Sequence, residues 1–244
     1  MASHPIYQFY AELEGFEPKI WRRFQVSNQV TVSRFSYVVM ILFEMMASHL
    51  YSIEVDKAET LGLSVPQRHN PFRYSDTFIA IQPDLFDFDM SPFPEQVTLL
   101  DASSIKLRFF VDQIDEVLRL NYDFGDNWWV RLVLEDVFTD RDIPGTVFPR
   151  VLEGSGYGIV EDCGGIGGLL DLIEAFKQKH GEAYESYRDW TGFDDFDIQA
   201  FDIDDMNFRL KKLPMYYKHL YEDQKDISER GIALFERNYS GIKK

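Results

Sequence analysis

The chain has 244 residues, of which 45% are hydrophobic and 16% aromatic, enough to build a substantial buried core. Its charged fraction of 27% excludes a disordered or fibrous protein, and its longest apolar run, 37–43, is far too short to cross a bilayer. The single cysteine, Cys163, excludes an intramolecular disulfide framework and a multi-cysteine zinc site. The first residues show no basic-then-apolar signal pattern, so we expect a cytoplasmic protein without a membrane segment.

The net charge of −16 arises from 25 lysines and arginines against 41 aspartates and glutamates. An average field of this sign repels phosphate backbones and anionic membranes. Direct nucleic-acid binding is therefore disfavoured, although a locally basic stretch occurs at 17–34. Another protein is the expected partner.

Two strands and a helix are predicted at the start of the chain. Alternating apolar residues indicate strands over 6–13 and 19–26, joined by a turn at 15–18. In the second strand, Arg22 falls on the same face as the apolar residues at positions 20, 24 and 26. Thr31 is the predicted N-cap of the amphipathic helix that follows.

The middle of the chain is predicted to add further strands. Five prolines divide 56–104, which we interpret as an irregular insertion that contains one strand at 77–82. The other strands predicted in this part of the chain are 49–55, 105–111, 116–122 and 128–138. In the turn before the last of these, Gly125 is expected to take a positive φ while a neighbouring aspartate bonds to the backbone.

The C-terminal part changes to loops and helices. A loop is predicted over 139–164, followed by a helix with apolar residues at 169, 172, 173 and 176. Acidic residues directly before a helix can cap its free amides, which would explain Asp162. The stretch 181–244 is predicted to be wholly helical, with Pro214 separating an acidic portion from a final helix. These elements predict an α+β fold, in which helices pack on a mixed or antiparallel sheet and a helical extension ends the chain.

Five short motifs, in this order along the chain, resemble one known family. They are Pro18-Lys19-Ile20-Trp21-Arg22-Arg23, Ser48-His49-Leu50, Tyr122-Asp123-Phe124-Gly125-Asp126-Asn127-Trp128, Glu161-Asp162-Cys163-Gly164-Gly165, and Phe196-Asp197 with Phe201-Asp202, Asn207 and Leu210. Together they are similar to the plasmid pRiA4b ORF-3-like family over residues 6–213. The resemblance implies a single α+β domain from plasmids and mobile elements, here 1–213, with no established activity. Residues 214–244 would then form a C-terminal helical extension.

The chain departs from the family's pattern where histidines are frequent. Tyr51 stands where members often carry a second histidine after His-Leu, and Val130 where they often carry one after Asp-Phe-Gly-Asp-x-Trp. Ile159 and Val160 replace prolines that commonly precede Glu-Asp-Cys-Gly-Gly. If the family has a histidine-dependent chemistry, these departures predict that this member lacks it.

The acidic and glycine-containing motifs have two interpretations. In the preferred one they are structural, stabilising turns and a helix start without a cofactor, and Cys163 is a buried structural cysteine. The residues of that set are Gly125, Asp162, Cys163, Gly164 and Gly165. In the alternative, nitrogen and oxygen ligands converge on a divalent metal ion that activates water. Its candidate ligands and catalytic groups are His49, Asp123, Asp126, Glu161 and Asp162.

A binding surface is predicted on the strands that carry Trp21, Arg22 and Arg23, because aromatic and arginine side chains are common in binding hot spots. Trp128 and Trp129 fall on opposite faces of their strand, so one of them is expected to be exposed.

Since no set of catalytic residues is complete, the preferred function is a non-catalytic interaction module of a plasmid or mobile element. A divalent-metal-dependent phosphodiester hydrolase is the alternative, and direct nucleic-acid binding is a third option.

Overall fold

The structure, a computed structural model, describes residues 4–56, 77–81 and 97–237. The strands are β1 (Ile6–Leu13), β2 (Trp21–Ser27), β3 (Tyr51–Asp56), β4 (Thr77–Ile81), β5 (Val97–Asp101), β6 (Val117–Tyr122), β7 (Trp128–Phe138) and β8 (Arg150–Ser155). They form one sheet in the order β5-β4-β3-β6-β7-β1-β2-β8. Only the β4–β5 pair is parallel among these strands, so the sheet is mixed and the predicted α+β class is confirmed.

Most of the helices lie in the C-terminal part of the chain. They are α1 (Val32–Leu42), α2 (Leu107–Phe110), α3 (Gly165–Gln178), α4 (Glu182–Thr191), α5 (Ile203–Leu210), α6 (Leu213–Tyr221) and α7 (Glu229–Phe235). In the described part of the chain, none of them is both long and apolar enough to cross a membrane.

The first helix is the centre of the core. Thr31 caps it as predicted, because the Thr31 hydroxyl oxygen accepts a hydrogen bond from the Arg34 amide at 3.2 Å. Every residue of α1 except Arg34 is buried. Phe35 packs against Phe9 and Phe24 of the sheet, at ring-centroid distances of 4.8 and 6.0 Å, while α5 and α6 also contact α1. The helix is thus buried around almost its whole circumference, including the polar Ser33 and Ser36, and the amphipathic pattern predicted for it is wrong.

The strand predicted at 105–111 is wrong. The single helical turn α2 occupies this segment. Its neighbouring backbone is 28–32, which it joins through an isolated bridge between Thr31 and Lys106 and a few single bonds, such as that from the Leu107 amide to the Val30 carbonyl. Leu107 and Phe110 are buried. The apolar residues of this segment therefore reflect packing beside α1, and not a pleated strand.

The loop predicted over 139–164 contains β8, which pairs with β2 at the edge of the sheet. Gly154 favoured the loop prediction. In the structure, a Cβ atom at Gly154 would lie 2.8 Å from the carbonyl oxygen of Trp21. The glycine is therefore required by close packing within a strand and does not mark a loop.

The prediction that 181–244 is wholly helical is wrong at 192–202, between α4 and α5. Asp195, Asp197 and Asp202 accept hydrogen bonds there from amides one to three residues further along the chain. Such local bonds compete with a helix. Pro214 lies in the first turn of α6, so the predicted boundary there is confirmed. The single final helix is wrong, because the non-helical residues 222–228 separate α6 from α7.

Much of the predicted insertion 56–104 lies outside the described residues. Its described parts include β4 and β5, which extend the sheet beyond β3. The strand predicted at 77–82 is confirmed as Thr77–Ile81. The predicted division into 1–213 and 214–244 remains a prediction.

Candidate metal centre

Three segments meet at one end of β3 and β6. The first is the His49 loop, which we define as Phe43–Leu50, and the second is the β6–β7 turn at 123–127. The Asp123 amide donates to the Leu50 carbonyl at 2.9 Å, which places His49 beside this turn. The third is the 161–164 turn before α3, which the bond from the Ile159 amide to the Phe43 carbonyl, 3.0 Å long, brings alongside. A cleft of about 270 Å³ opens between the first two segments.

The imidazole of His49 faces three carboxylates. Its Nε2 atom lies 3.0 Å from Asp162 Oδ1, 3.4 Å from Glu161 Oε2 and 3.6 Å from Asp123 Oδ2. The shortest of these distances lies within hydrogen-bonding range. Nε2 is shielded from solvent and has no hydrogen-bond partner among the described residues. The group therefore places a shielded nitrogen, without a hydrogen bond to any described residue, against three acidic side chains, an arrangement that needs positive charge, either on the imidazole itself or on a bound cation.

The distances from His49 Nε2 to the carboxylates match the edges of a metal coordination polyhedron. Ligands held about 2.0–2.2 Å from an ion, at angles of about 90–110°, lie about 2.8–3.6 Å from one another. One ligand atom from each of His49, Asp123 and Asp162 lies within 4.8 Å of the other two. Because each comes from a different segment, the cluster depends on the tertiary fold, and no continuous sequence motif contains it.

The β6–β7 turn aims the carboxylate of Asp123. Oδ1 of Asp123 accepts a hydrogen bond from the Gly125 amide at 3.0 Å, which leaves Oδ2 directed toward His49. The expected positive φ at Gly125 is wrong, because Asp123 (54°) and Asn127 (59°) take the left-handed conformation in this turn. Aspartate and asparagine tolerate that conformation better than most residues.

Glu161 fastens the His49 loop to the cluster. Its carboxylate accepts hydrogen bonds from the Met46 amide (2.5 Å), the Ser48 hydroxyl (3.1 Å) and the Tyr122 hydroxyl (2.8 Å). Burial raises the pKa of Glu161, and these hydrogen bonds oppose the rise. The oxygens of Glu161 are thus largely occupied by these hydrogen bonds, and the residue supports the loop.

The predicted cap at Asp162 is wrong. Gly164 is the N-cap residue of α3 and makes no side-chain cap bond, while Asp126 accepts from the Gly164 amide at 3.0 Å. Asp162 has a φ of 57°, and its largely exposed side chain turns toward His49. Asp126, a candidate ligand in the alternative interpretation, thus supports the helix start, whereas Asp162 lies in the cluster, where the alternative interpretation placed it.

Close backbone approach explains the glycines before and within α3. A Cβ atom at Gly165 would lie 2.5 Å from the Asp126 carbonyl oxygen, and one at Gly168 only 1.5 Å from the Cys163 carbonyl oxygen. Gly167 has open space at the same position. The glycines thus allow the 161–164 turn to pack tightly against both α3 and the β6–β7 turn.

We expect alanine substitutions at two of these glycines to have opposite effects. Gly168→Ala should lower the free energy of unfolding by at least about 2 kcal/mol, because the new methyl group meets backbone that cannot move aside cheaply. Gly167→Ala should raise it by about 0.5–1 kcal/mol, since alanine favours a helix and nothing obstructs it. Urea unfolding of both variants is the measurement. Equal effects of the same sign would contradict this account of the turn.

Cys163 is half-buried, and its thiol donates a weak hydrogen bond to the Gly165 carbonyl oxygen, which lies 3.6 Å from Sγ. Burial, followed by the charge of Asp126, raises the pKa of its thiol to about 12. A thiol with such a pKa stays protonated near neutral pH, so Cys163 is not an activated nucleophile.

The predicted binding surface is corrected at two positions. Arg22 and Trp128 are buried on the inner face of the sheet. Trp21, Arg23 and Trp129 are half-buried on the outer face, so the expected separation of Trp128 and Trp129 onto opposite faces is confirmed. Arg23 already pairs with Glu135 and Glu153, each at 2.7 Å, which neutralises its charge within the sheet.

Two site residues were missing from the sequence-based candidates. Ser48 and Tyr122 hold Glu161, and the Tyr122 hydroxyl also accepts a hydrogen bond from the Ser48 amide at 3.2 Å. Both residues lie inside motifs that carry the family resemblance, directly beside His49 and Asp123. Their position was thus the available signal, but neither is an ionisable group at neutral pH or a usual metal ligand.

The fold and this cluster together define an α+β protein with an acidic, histidine-containing cleft at one end of a mixed sheet. A family model described as plasmid pRiA4b ORF-3-like protein matches residues 5–205. The chain therefore belongs to the plasmid pRiA4b ORF-3-like family.

A solved structure supports the same fold. The crystal structure of a protein of unknown function from Methanosarcina mazei Go1 is similar to this one, with a TM-score of 0.61 and 23% sequence identity. The similarity covers 82% of this chain and 95% of that chain, and at this identity it shows the fold alone. No curated protein matches the chain.

Proposed function

We propose that the protein binds one divalent transition-metal ion through His49, Asp123 and Asp162. The observation that carries the proposal is the shielded Nε2 atom of His49, which makes no hydrogen bond within the described part of the chain and lies 3.0–3.6 Å from three carboxylate oxygens. Asp123 is buried, whereas Asp162 is largely exposed at the rim. An ion held by these three groups would keep positions open to the solvent of the cleft.

The ligand types favour zinc or manganese. Imidazole nitrogen suits zinc and other transition metals, and carboxylate oxygen suits manganese as well, whereas magnesium and calcium prefer oxygen ligands alone. The residues that line the cleft supply no lysine or arginine that would compete for the carboxylates: Ser48, His49, Leu50, Asp123, Phe124 and Gly125.

Calorimetric titration of metal-free protein tests the proposal. We expect one ion per chain, with zinc bound more tightly than manganese and magnesium bound weakest, following the general affinity order of divalent metals. The overall charge of −16 provides an internal control, because non-specific attraction would give many weak sites and little selectivity. Such a result, or no binding at all, would reject the proposal.

Hydrolysis is the chemistry that open positions on such an ion would support, because a bound metal lowers the pKa of water. Turnover of an activated phosphodiester by zinc- or manganese-loaded protein, and its loss in His49→Ala, would support the predicted hydrolase. If the metal-loaded protein shows no turnover, the hydrolase prediction is rejected and only the proposal of cation binding is left.

The non-catalytic interaction module also stays a prediction. Trp21 and Trp129 on the outer face of the sheet favour it, since half-buried indoles commonly anchor protein partners. Trp21→Ala should then weaken binding of whichever protein co-purifies with the chain, and unchanged co-purification would argue against this face.

A further inference from the structure

The C-terminal helices contact the loop that carries His49. On α6, the Tyr217 hydroxyl donates to the Met45 carbonyl and the Tyr221 hydroxyl donates to the His49 carbonyl, the latter at 2.5 Å. Residues four apart share one helix face, so both hydroxyls reach the same loop. The family match ends at residue 205, so the helix that makes these contacts lies outside the matched region.

Tyr221 is held rigidly in the core. Its ring stacks on Tyr37 with centroids 5.6 Å apart and meets the edge of Tyr51 at 5.1 Å. The neighbouring Glu222 accepts hydrogen bonds from the hydroxyls of Tyr37 and Ser33, each at 3.0 Å. The position of the Tyr221 hydroxyl is therefore fixed relative to α1 and β3.

The His49 loop is held by two sets of hydrogen bonds. Glu161 accepts from the Met46 amide and the Ser48 hydroxyl. Tyr221 donates to the carbonyl of His49 itself. The loop contains two residues with left-handed φ values, Glu44 at 62° and Ala47 at 61°, a conformation that such residues adopt only where surrounding contacts enforce it.

We propose that Tyr221 is a positioning residue that holds the imidazole of His49 in its binding orientation. The inference rests on the proposed cation site. Fixing the His49 carbonyl fixes the backbone from which the imidazole projects, so the ligand atom is oriented before an ion arrives. Without the hydroxyl, the loop must be ordered as part of binding, and the affinity falls by that cost.

Tyr221→Phe tests the inference by removing one hydroxyl and keeping the ring. We expect the dissociation constant for zinc to rise roughly tenfold, as for other residues that orient a metal ligand. The visible spectrum of the cobalt-loaded variant should also change, because the coordination geometry of the ion would differ. Tyr216→Phe is the matched control: it lies on the same helix, packs on Gly231, and has no hydrogen bond to the His49 loop within the described ranges.

The outcomes separate this inference from the proposed function. If the unaltered protein binds neither zinc, manganese nor magnesium, the proposed site and the role of Tyr221 both fail. If it binds zinc and Tyr221→Phe binds equally well with the same cobalt spectrum, only the role of Tyr221 fails. Equal weakening in Tyr216→Phe would also overturn it, because the effect would then be general destabilisation.

Discussion

Replacing Arg22 by methionine is expected to lower the free energy of unfolding by about 3–5 kcal/mol, the largest effect on stability that we expect from a single substitution in this chain. The guanidinium of Arg22 is fully buried on the inner face of the sheet. It lies between the rings of Phe43 and Phe201, with its central carbon 5.5 and 4.0 Å from their centroids. Burial lowers the pKa of Arg22 to about 9, so the group remains charged at neutral pH.

Carbonyl oxygens, and no carboxylate, accept all five of its hydrogen bonds. Nε donates to Leu42, Nη1 to Trp21 and Ser155, and Nη2 to Gly156 and Tyr157, at 2.7–2.9 Å. The Leu42 carbonyl ends α1, where the helix dipole favours a positive charge. Methionine fills similar space but leaves these buried acceptors without their donor, which is the costly outcome.

Arg23→Met is the matched control, because it makes the same chemical change on the next residue of β2. Arg23 is about 30% exposed and pairs with Glu135 and Glu153 on the outer face. Ion pairs that remain partly open to solvent contribute little, so we expect a loss of less than about 1 kcal/mol. Urea unfolding of both variants compares the two positions directly. An Arg22→Met loss no larger than that of Arg23→Met would contradict the proposed anchoring role.

Arg22 also illustrates what the sequence could predict. The alternation of β2 correctly places Arg22 on the face of its apolar neighbours, whereas the binding-surface prediction grouped it with Trp21 and Arg23 because such side chains are common in binding hot spots. Three of its acceptors lie more than 130 positions along the chain. That spatial approach leaves no mark in local periodicity, so only the tertiary structure shows how the charge is satisfied.

The cluster around His49 likewise depends on contacts that only the tertiary structure shows. The sequence predicted β3 and β6 separately, but only their pairing, with Tyr51 opposite Tyr122, brings His49 beside Asp123. Asp126 and Asp162 are both aspartates in short glycine-containing motifs, so composition could not tell which of them supports the start of α3. The backbone conformation of two turns decides this, and sequence spacing does not encode it.

Removing the imidazole of His49 is expected to weaken zinc binding by at least about 100-fold, more than the loss of a residue that only orients a ligand. The expectation follows from the central position of Nε2, which lies within 3.6 Å of all three carboxylates. Titration of His49→Ala with zinc, beside the unaltered protein, is the measurement. A reduction of less than threefold would show that the ion, if bound, is held elsewhere on the acidic surface.

Asp162→Asn distinguishes a binding site from a purely structural cluster. The substitution removes one of three clustered negative charges, so in the absence of metal it should raise the free energy of unfolding by a few tenths to about 1 kcal/mol while zinc affinity falls. Asp126→Asn is the matched control. The Asp126 side chain accepts a hydrogen bond from the Gly164 amide, and an asparagine oxygen can still accept it. Neither the free energy of unfolding nor the zinc affinity should therefore change much. Groups kept only to stabilise the fold would behave in the opposite way, because neutralising Asp162 would then cost stability. A less stable Asp162→Asn variant with unchanged zinc affinity would therefore support the structural interpretation and reject the metal site.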